Sequence, residues 1–140
     1  MSMTSTDALL GARACVQGFC CIGWIGNTPI VGTADGNLYR FIGRQLDGII
    51  RAHNGPVHSI TSHSNGIYTC GSDGEIKCWA RLLECLHTVS IKDLISYSLD
   101  IRCLDCSEDG QKLLFGTSAG DIYEVAADGR NIHRYPIHVH

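Results

Sequence analysis

Three ten-residue segments of this chain carry the same plan: GTADGNLYRF from Gly32, GSDGEIKCWA from Gly71 and GTSAGDIYEV from Gly116. In each, an apolar run enters a glycine-bearing turn and leaves as an alternating strand. The entering runs are Pro29-Ile30-Val31, Gly66-Ile67-Tyr68 and Lys112-Leu113-Leu114-Phe115. The leaving runs end at Phe41, Trp79 and Val125, each five residues past its anchor glycine, Gly36, Gly74 or Gly120. Glycine at a fixed place in a turn supplies backbone conformations that other residues resist, and period-two alternation suits strands rather than helices. A fixed interval in three copies predicts three hairpins of one design.

The anchor glycines lie 38 and 46 residues apart, a mean of 42. That period matches the four-stranded blade of a WD-type β-propeller, about 40–45 residues. The fold class expected is therefore all-β: a partial propeller of about three four-stranded antiparallel blades, over residues 17–51, 52–94 and 100–134 within a repeat region of 15–140. The strand from Gly18 to Trp24 leads the first unit. Asp109-Gly110 and Asp128-Gly129 are further hairpin signals, and Ser96 to Leu99 reads as a polar connection. Met1 to Ala14 fits no unit and is read as a disordered tail, and no helix is placed.

Composition narrows the partners. The 140 residues are 44% hydrophobic, enough for a core, with a net charge of −3. The eleven Lys and Arg are scattered, so neither a nucleic-acid groove nor a membrane surface is expected as a partner. The first residues hold Asp7 and only a brief apolar patch from Ala8 to Leu10, so no signal peptide is expected. In a reducing compartment the eight cysteines would be free thiols. Cys70, Cys78, Cys85 and Cys103 sit in strand-like runs and are expected to be buried.

The unit Arg51 to Ala80 resembles the WD-repeat family, in which a Gly-His pair, a turn aspartate and a Trp-Asp pair mark each blade. Here these positions read Ala52-His53, Asp73 and Trp79-Ala80. The resemblance implies a buried tetrad of His, Ser/Thr, Asp and Trp. His53, Asp73 and Trp79 match it, but the Ser/Thr position falls on Gly71, leaving Ser72 or Thr69 as substitutes. In the first unit Thr33 and Asp35 match, and in the third Thr117, whereas Phe41, Ala119 and Val125 depart.

More specifically, AHNGPVHSI, GIYTCGSDGEIKCW and DIRCLDCSEDGQKLLFGTSAGDIYEV follow one another as in the echinoderm microtubule-associated-protein-like family. The resemblance runs from Gly32 to Tyr135. It implies a non-catalytic, cytoplasmic, cytoskeletal scaffold that binds tubulin or microtubules; a generic WD-repeat adaptor for other proteins is the alternative. No cofactor, metal or small-molecule substrate is implied. Propellers close rings of about four to eight blades, so three blades are expected to belong to something larger and, alone, to self-associate.

Four chemical readings compete with the structural one. Gly116-Thr-Ser-Ala-Gly120 spells the G-x-S-x-G of a hydrolase elbow, which would make Ser118 a nucleophile. That chemistry needs a following helix, and Asp121 to Val125 reads as a strand. Cys103 and Cys106 form a C-x-x-C suited to zinc or redox work, but residues three apart on a strand face opposite ways. Cys20-Cys21 meets the same objection. His138 and His140 share a face and are read as leading toward the Gly-His pair of a next blade; His58, His63, His87 and His133 show no convergent carboxylates. The glycines of 23–26 and 32–36 lack the Lys-Ser/Thr of a phosphate loop and read as turns.

Overall fold

A computed structural model describes residues 18–64, 66–95 and 100–137. The expected tail, the connection 96–99 and the pair His138 and His140 lie outside them. Twelve strands form three separate four-stranded antiparallel sheets. The first sheet holds β1 (Phe19–Ile25), β2 (Thr28–Thr33), β3 (Asn37–Ile42) and β4 (Gln45–Arg51). The second holds β5 (Val57–His63), β6 (Gly66–Gly71), β7 (Glu75–Ala80) and β8 (Cys85–Ser90), and the third β9 (Ile101–Cys106), β10 (Lys112–Thr117), β11 (Ile122–Ala126) and β12 (His133–Arg134). Each sheet is a meander in sequence order. Among the described residues the only helical element is a short 3₁₀ turn, Ile91–Asp93.

The repeat seen in the sequence is a repeat of hydrogen bonds. Gly36, Gly74 and Gly120 take φ of 95°, 73° and 87°, the left-handed region that glycine enters freely. Each closes its turn by donating its N–H three residues back, to Thr33, Gly71 and Thr117. The residue after each of those acceptors donates to the segment before the blade's first strand: Ala34 to Gly18, Ser72 to Pro56, Ser118 to Asp100. Gly36 is further constrained, since its carbonyl accepts the amides of Ala52 and His53, and a Cβ on it would meet the His53 carbonyl at 2.0 Å.

The first strand of every sheet carries a bulge at the same place, between Phe19 and Cys21, between Val57 and Ser59, and opposite Gly116 and Thr117 in β9. A bulge adds one unpaired residue and sharpens the local twist. The added residues are Cys20, His58 and Arg102. The first strands of neighbouring sheets approach one another, β1 with β5 and β5 with β9. The blades therefore fan out from their first strands.

Two apolar clusters lie between the blades. Ile25, Ile30 and Leu38 of blade one meet Val57, Ile67 and Trp79 of blade two. Tyr68, Cys70, Ile76 and Cys78 on the opposite face of blade two meet Ile101, Leu104, Leu113 and Phe115 of blade three. Blade two is thus covered on both faces, and all six residues of β6 are buried. Burying a side chain of Ile, Leu or Phe size contributes about 1.5–3 kcal/mol, so these junctions are the main source of stability. Cys85 and Cys103, expected inside, are exposed. Cys85 opens the outermost strand of its blade, and Cys103 lies on the face of blade three that no other blade covers.

Candidate functional site

The polar residues singled out in the middle unit converge on one oxygen. β6 carries Thr69, fully buried. Its Oγ1 lies 2.7 Å from His53 Nε2 and accepts the Trp79 indole N–H at 2.8 Å. His53 sits in the segment joining β4 to β5, and its Nδ1 lies 3.0 Å from Asp73 Oδ1 in the β6–β7 turn. With the ring proton on Nδ1, donation runs one way: Trp79 to Thr69, Thr69 to His53, His53 to Asp73. Asp73 also accepts the backbone N–H of Asn54 at 3.0 Å and of Glu75 at 3.2 Å. A loop, a turn and two strands are tied by one chain of bonds.

The hydroxyl is Thr69, not the Gly71 position to which the alignment pointed and not Ser72. Gly71 is occupied space: a Cβ there would lie 2.6 Å from the Pro56 carbonyl and 3.1 Å from the His53 ring. The histidine fills the place that a threonine side chain takes in the other blades, and the hydroxyl comes from two residues earlier on the same strand face. In those blades the threonines serve their own turns. Thr33 Oγ1 accepts the Asn37 N–H at 3.0 Å and donates to Asp35; Thr117 accepts the Asp121 N–H at 3.3 Å. Val31 and Phe115 stand where Thr69 would be, and Phe115 stacks on Tyr123 at 5.4 Å. Asp35 and Thr117 therefore belong to turns rather than to a second or third tetrad.

Burial alone would raise the Asp73 pKa. The His53 hydrogen bond and charge, with the two backbone amides, outweigh it and hold the carboxyl at about 2, below its ordinary 3.8. With a side chain only 7% exposed, this is a bond to a nearly dry carboxylate.

The competing chemical readings meet the following geometry. Ser118 lies in the turn between β10 and β11, so the residues after it are strand. Cys103 is exposed opposite Gly116, while Cys106 pairs with Leu113 and packs toward blade two. The two thiols face opposite sides of the sheet. Burial pushes the Cys21 thiol up to about 11 and raises those of Cys70 and Cys78, which disfavours thiolate. His58, for which the sequence showed no carboxylate, has Asp100 at 3.9 Å; burial, and then Arg102, keep its pKa below the ordinary value. His87 reaches the Ala127 carbonyl at 3.1 Å across to blade three. Among the described residues no three His, Cys, Asp or Glu side chains are grouped to hold a metal, and no helix is long and apolar enough to cross a membrane. An open cleft of about 280 Å³ on blade three, lined by Asp105, Lys112, Glu124 and Tyr135 among others, has its charged groups already engaged: Tyr135 donates to Glu124 at 2.6 Å with Lys112 3.7 Å away, and Asp105 accepts from Thr61 of blade two at 3.2 Å.

The architecture defines an arc of a β-propeller: three antiparallel four-stranded blades packed face to face around their first strands. Solved structures share it. The computationally designed Ika4 protein superposes with a TM-score of 0.71 at 18% identity, covering 86% of this chain and 74% of its own. The designed Ika8 protein gives 0.69 at 19% identity, covering 83% of this chain and 36% of its own, so the chain spans about a third of that protein's length. At such identities the likeness speaks for the fold alone. No family model matches the chain.

Two outcomes follow from the tetrad. Thr69→Val keeps the shape but leaves the Trp79 N–H and the His53 Nε2 buried without partners, and should cost about 2–4 kcal/mol in urea unfolding, whereas Thr69→Ser should cost under about 1 kcal/mol; equal losses would deny the bridge. Because the Asp73 pKa is depressed on folding, its contribution is full above about pH 3.8 and is lost as pH falls toward about 2. It amounts to roughly 2 kcal/mol. Stability measured across that window should therefore fall less steeply for Asp73→Asn than for wild type.

Proposed function

We propose that the chain is part of a non-catalytic propeller scaffold of the microtubule-associated-protein-like type, acting in the cytoplasm on the cytoskeleton with tubulin or microtubules as partner. The observation that carries the reading is the saturation of the polar centre. His53, Thr69, Asp73 and Trp79 consume one another's hydrogen bonds, so the residues resembling a catalytic cluster hold a blade together. A scaffold of this kind meets its partners through exposed loops and rims, where residues are free to serve recognition. The ordered motifs from Ala52 to Val125 supply the tubulin part of the proposal. Neither nucleic acid, membrane nor a small-molecule substrate figures in it.

The test is co-sedimentation of a complete propeller carrying these blades with stabilised microtubules, where pelleting that saturates at micromolar tubulin is expected. A propeller that stays in the supernatant, yet recovers a defined tubulin-free complex, would replace this reading with that of a generic adaptor. Labelling by a fluorophosphonate probe that disappears in Ser118→Ala would overturn the non-catalytic part.

A further inference from the structure

The two junctions between blades are one junction made twice, and the chain presents both of its halves again, uncovered by any of the described residues. On the face of blade one that meets blade two, Cys21 lies across from Gly32. The glycine is a socket: a Cβ there would lie 2.6 Å from Cys21 Sγ and 2.9 Å from the Val57 side chain. Val57 fills the socket, and the Cys21 thiol donates to the Val57 carbonyl at 3.4 Å. On the face of blade two that meets blade three the cross-strand pair is Ser59 and Cys70. There the Cys70 thiol donates to the Ile101 carbonyl, again at 3.4 Å. Val57 and Ile101 hold the same place, immediately before the bulge of the first strand, where the ladder is interrupted and a carbonyl is left to accept. Around each socket stand two large apolar residues, Ile30 and Leu38 in the first junction, Tyr68 and Ile76 in the second.

Blade three carries the same socket, and none of the described residues fills it. Cys103 lies across from Gly116, and a Cβ on Gly116 would meet its sulfur at 2.7 Å. Leu114 and Ile122 occupy the places of Ile30 and Leu38, 43% and 37% exposed. Blade one carries the matching plug, and among the described residues it has no socket to enter. Phe19 stands before the bulge in the place of Val57 and Ile101, and Ile22 in the place of Ile60 and Leu104. Ile22 is 75% exposed, and Trp24 beyond it is exposed as well.

We propose that a second copy of this chain covers both faces, the plug of each copy entering the socket of the other, to give a closed ring of six blades with two-fold symmetry. The Cys103 thiol then donates to the Phe19 carbonyl of the second copy. Both surfaces are largely apolar and of the repeat's own shape, and the two carboxylates flanking Leu114 are already partnered: Glu124 has Tyr135 and Lys112, and Asp105 accepts from the Thr61 hydroxyl and the Cys106 N–H. Contacts between unlike faces either close a ring or run on as a fibre. Propeller rings hold about four to eight blades, and six is the one multiple of three in that range.

Sedimentation velocity of the full chain at tens of micromolar should show one species of twice the 15.2 kDa chain mass. Ile22→Lys damages only the plug and Leu114→Lys only the socket. Both positions are exposed, so far-UV circular dichroism should be unchanged while each single variant returns the mass to that of one chain. A dimer of like faces would survive one of the two substitutions. Alkylation of Cys103, followed by peptide mass spectrometry, should be at least about tenfold slower in the wild-type dimer than in Ile22→Lys, since a covered thiol reacts slowly. A wild-type monomer, an open series of larger species, or a dimer indifferent to either substitution overturns the proposal.

Discussion

The middle blade depends on the hydroxyl of Thr69. It bonds both the inter-blade segment, through His53, and the buried indole of the third strand, through Trp79. Without it the His53–Asp73 pair would tie loop to turn and to the start of β7, but not to the buried Trp79. Because these groups are buried, their bonds are worth most when complete and become a liability when one member is lost. That asymmetry explains why a polar cluster sits where an apolar one would pack as well: it fixes which loop lies over which turn, and so how blade two joins blade one.

The second constraint is coverage. A four-stranded sheet has two faces, and blade two alone has both covered by other blades of the chain. Its second strand, β6, is buried along its whole length, while the outward faces of blades one and three carry exposed Phe19, Ile22 and Ile122. The inter-blade bonds follow the same logic. Arg40 reaches the Leu82 carbonyl at 2.9 Å, Ser62 the Trp24 carbonyl at 2.5 Å and His87 the Ala127 carbonyl at 3.1 Å, each stitching one blade to the next.

The hairpins were legible in the sequence because a positive φ nearly demands glycine, so Gly36, Gly74 and Gly120 announce themselves at any distance. Three blades of alternating strands followed from their spacing. The choice between Thr69 and Ser72 stayed open in the sequence, because an alignment along the chain compares like positions, and the tetrad hydroxyl had moved two residues to make way for the His53 ring. The signal was present in Gly71 itself, a glycine where both sister units have threonine. The thiol and glycine pairs were hidden for another reason: Cys21 with Gly32 and Cys103 with Gly116 are partners across strands, and a bulge shifts the register that would reveal them. Cys85 and Cys103 were expected inside because cysteine is usually buried, but burial here is decided by whether a neighbouring blade exists.

The most direct test of the structural role of the polar cluster is hydrogen exchange at the Trp79 indole. Its N–H is bonded to Thr69 in a fully buried setting, so exchange should require unfolding of the blade and proceed at the rate of the most protected backbone amides of β6. An indole that exchanges within seconds under native conditions, while the β6 amides remain protected, would contradict the account.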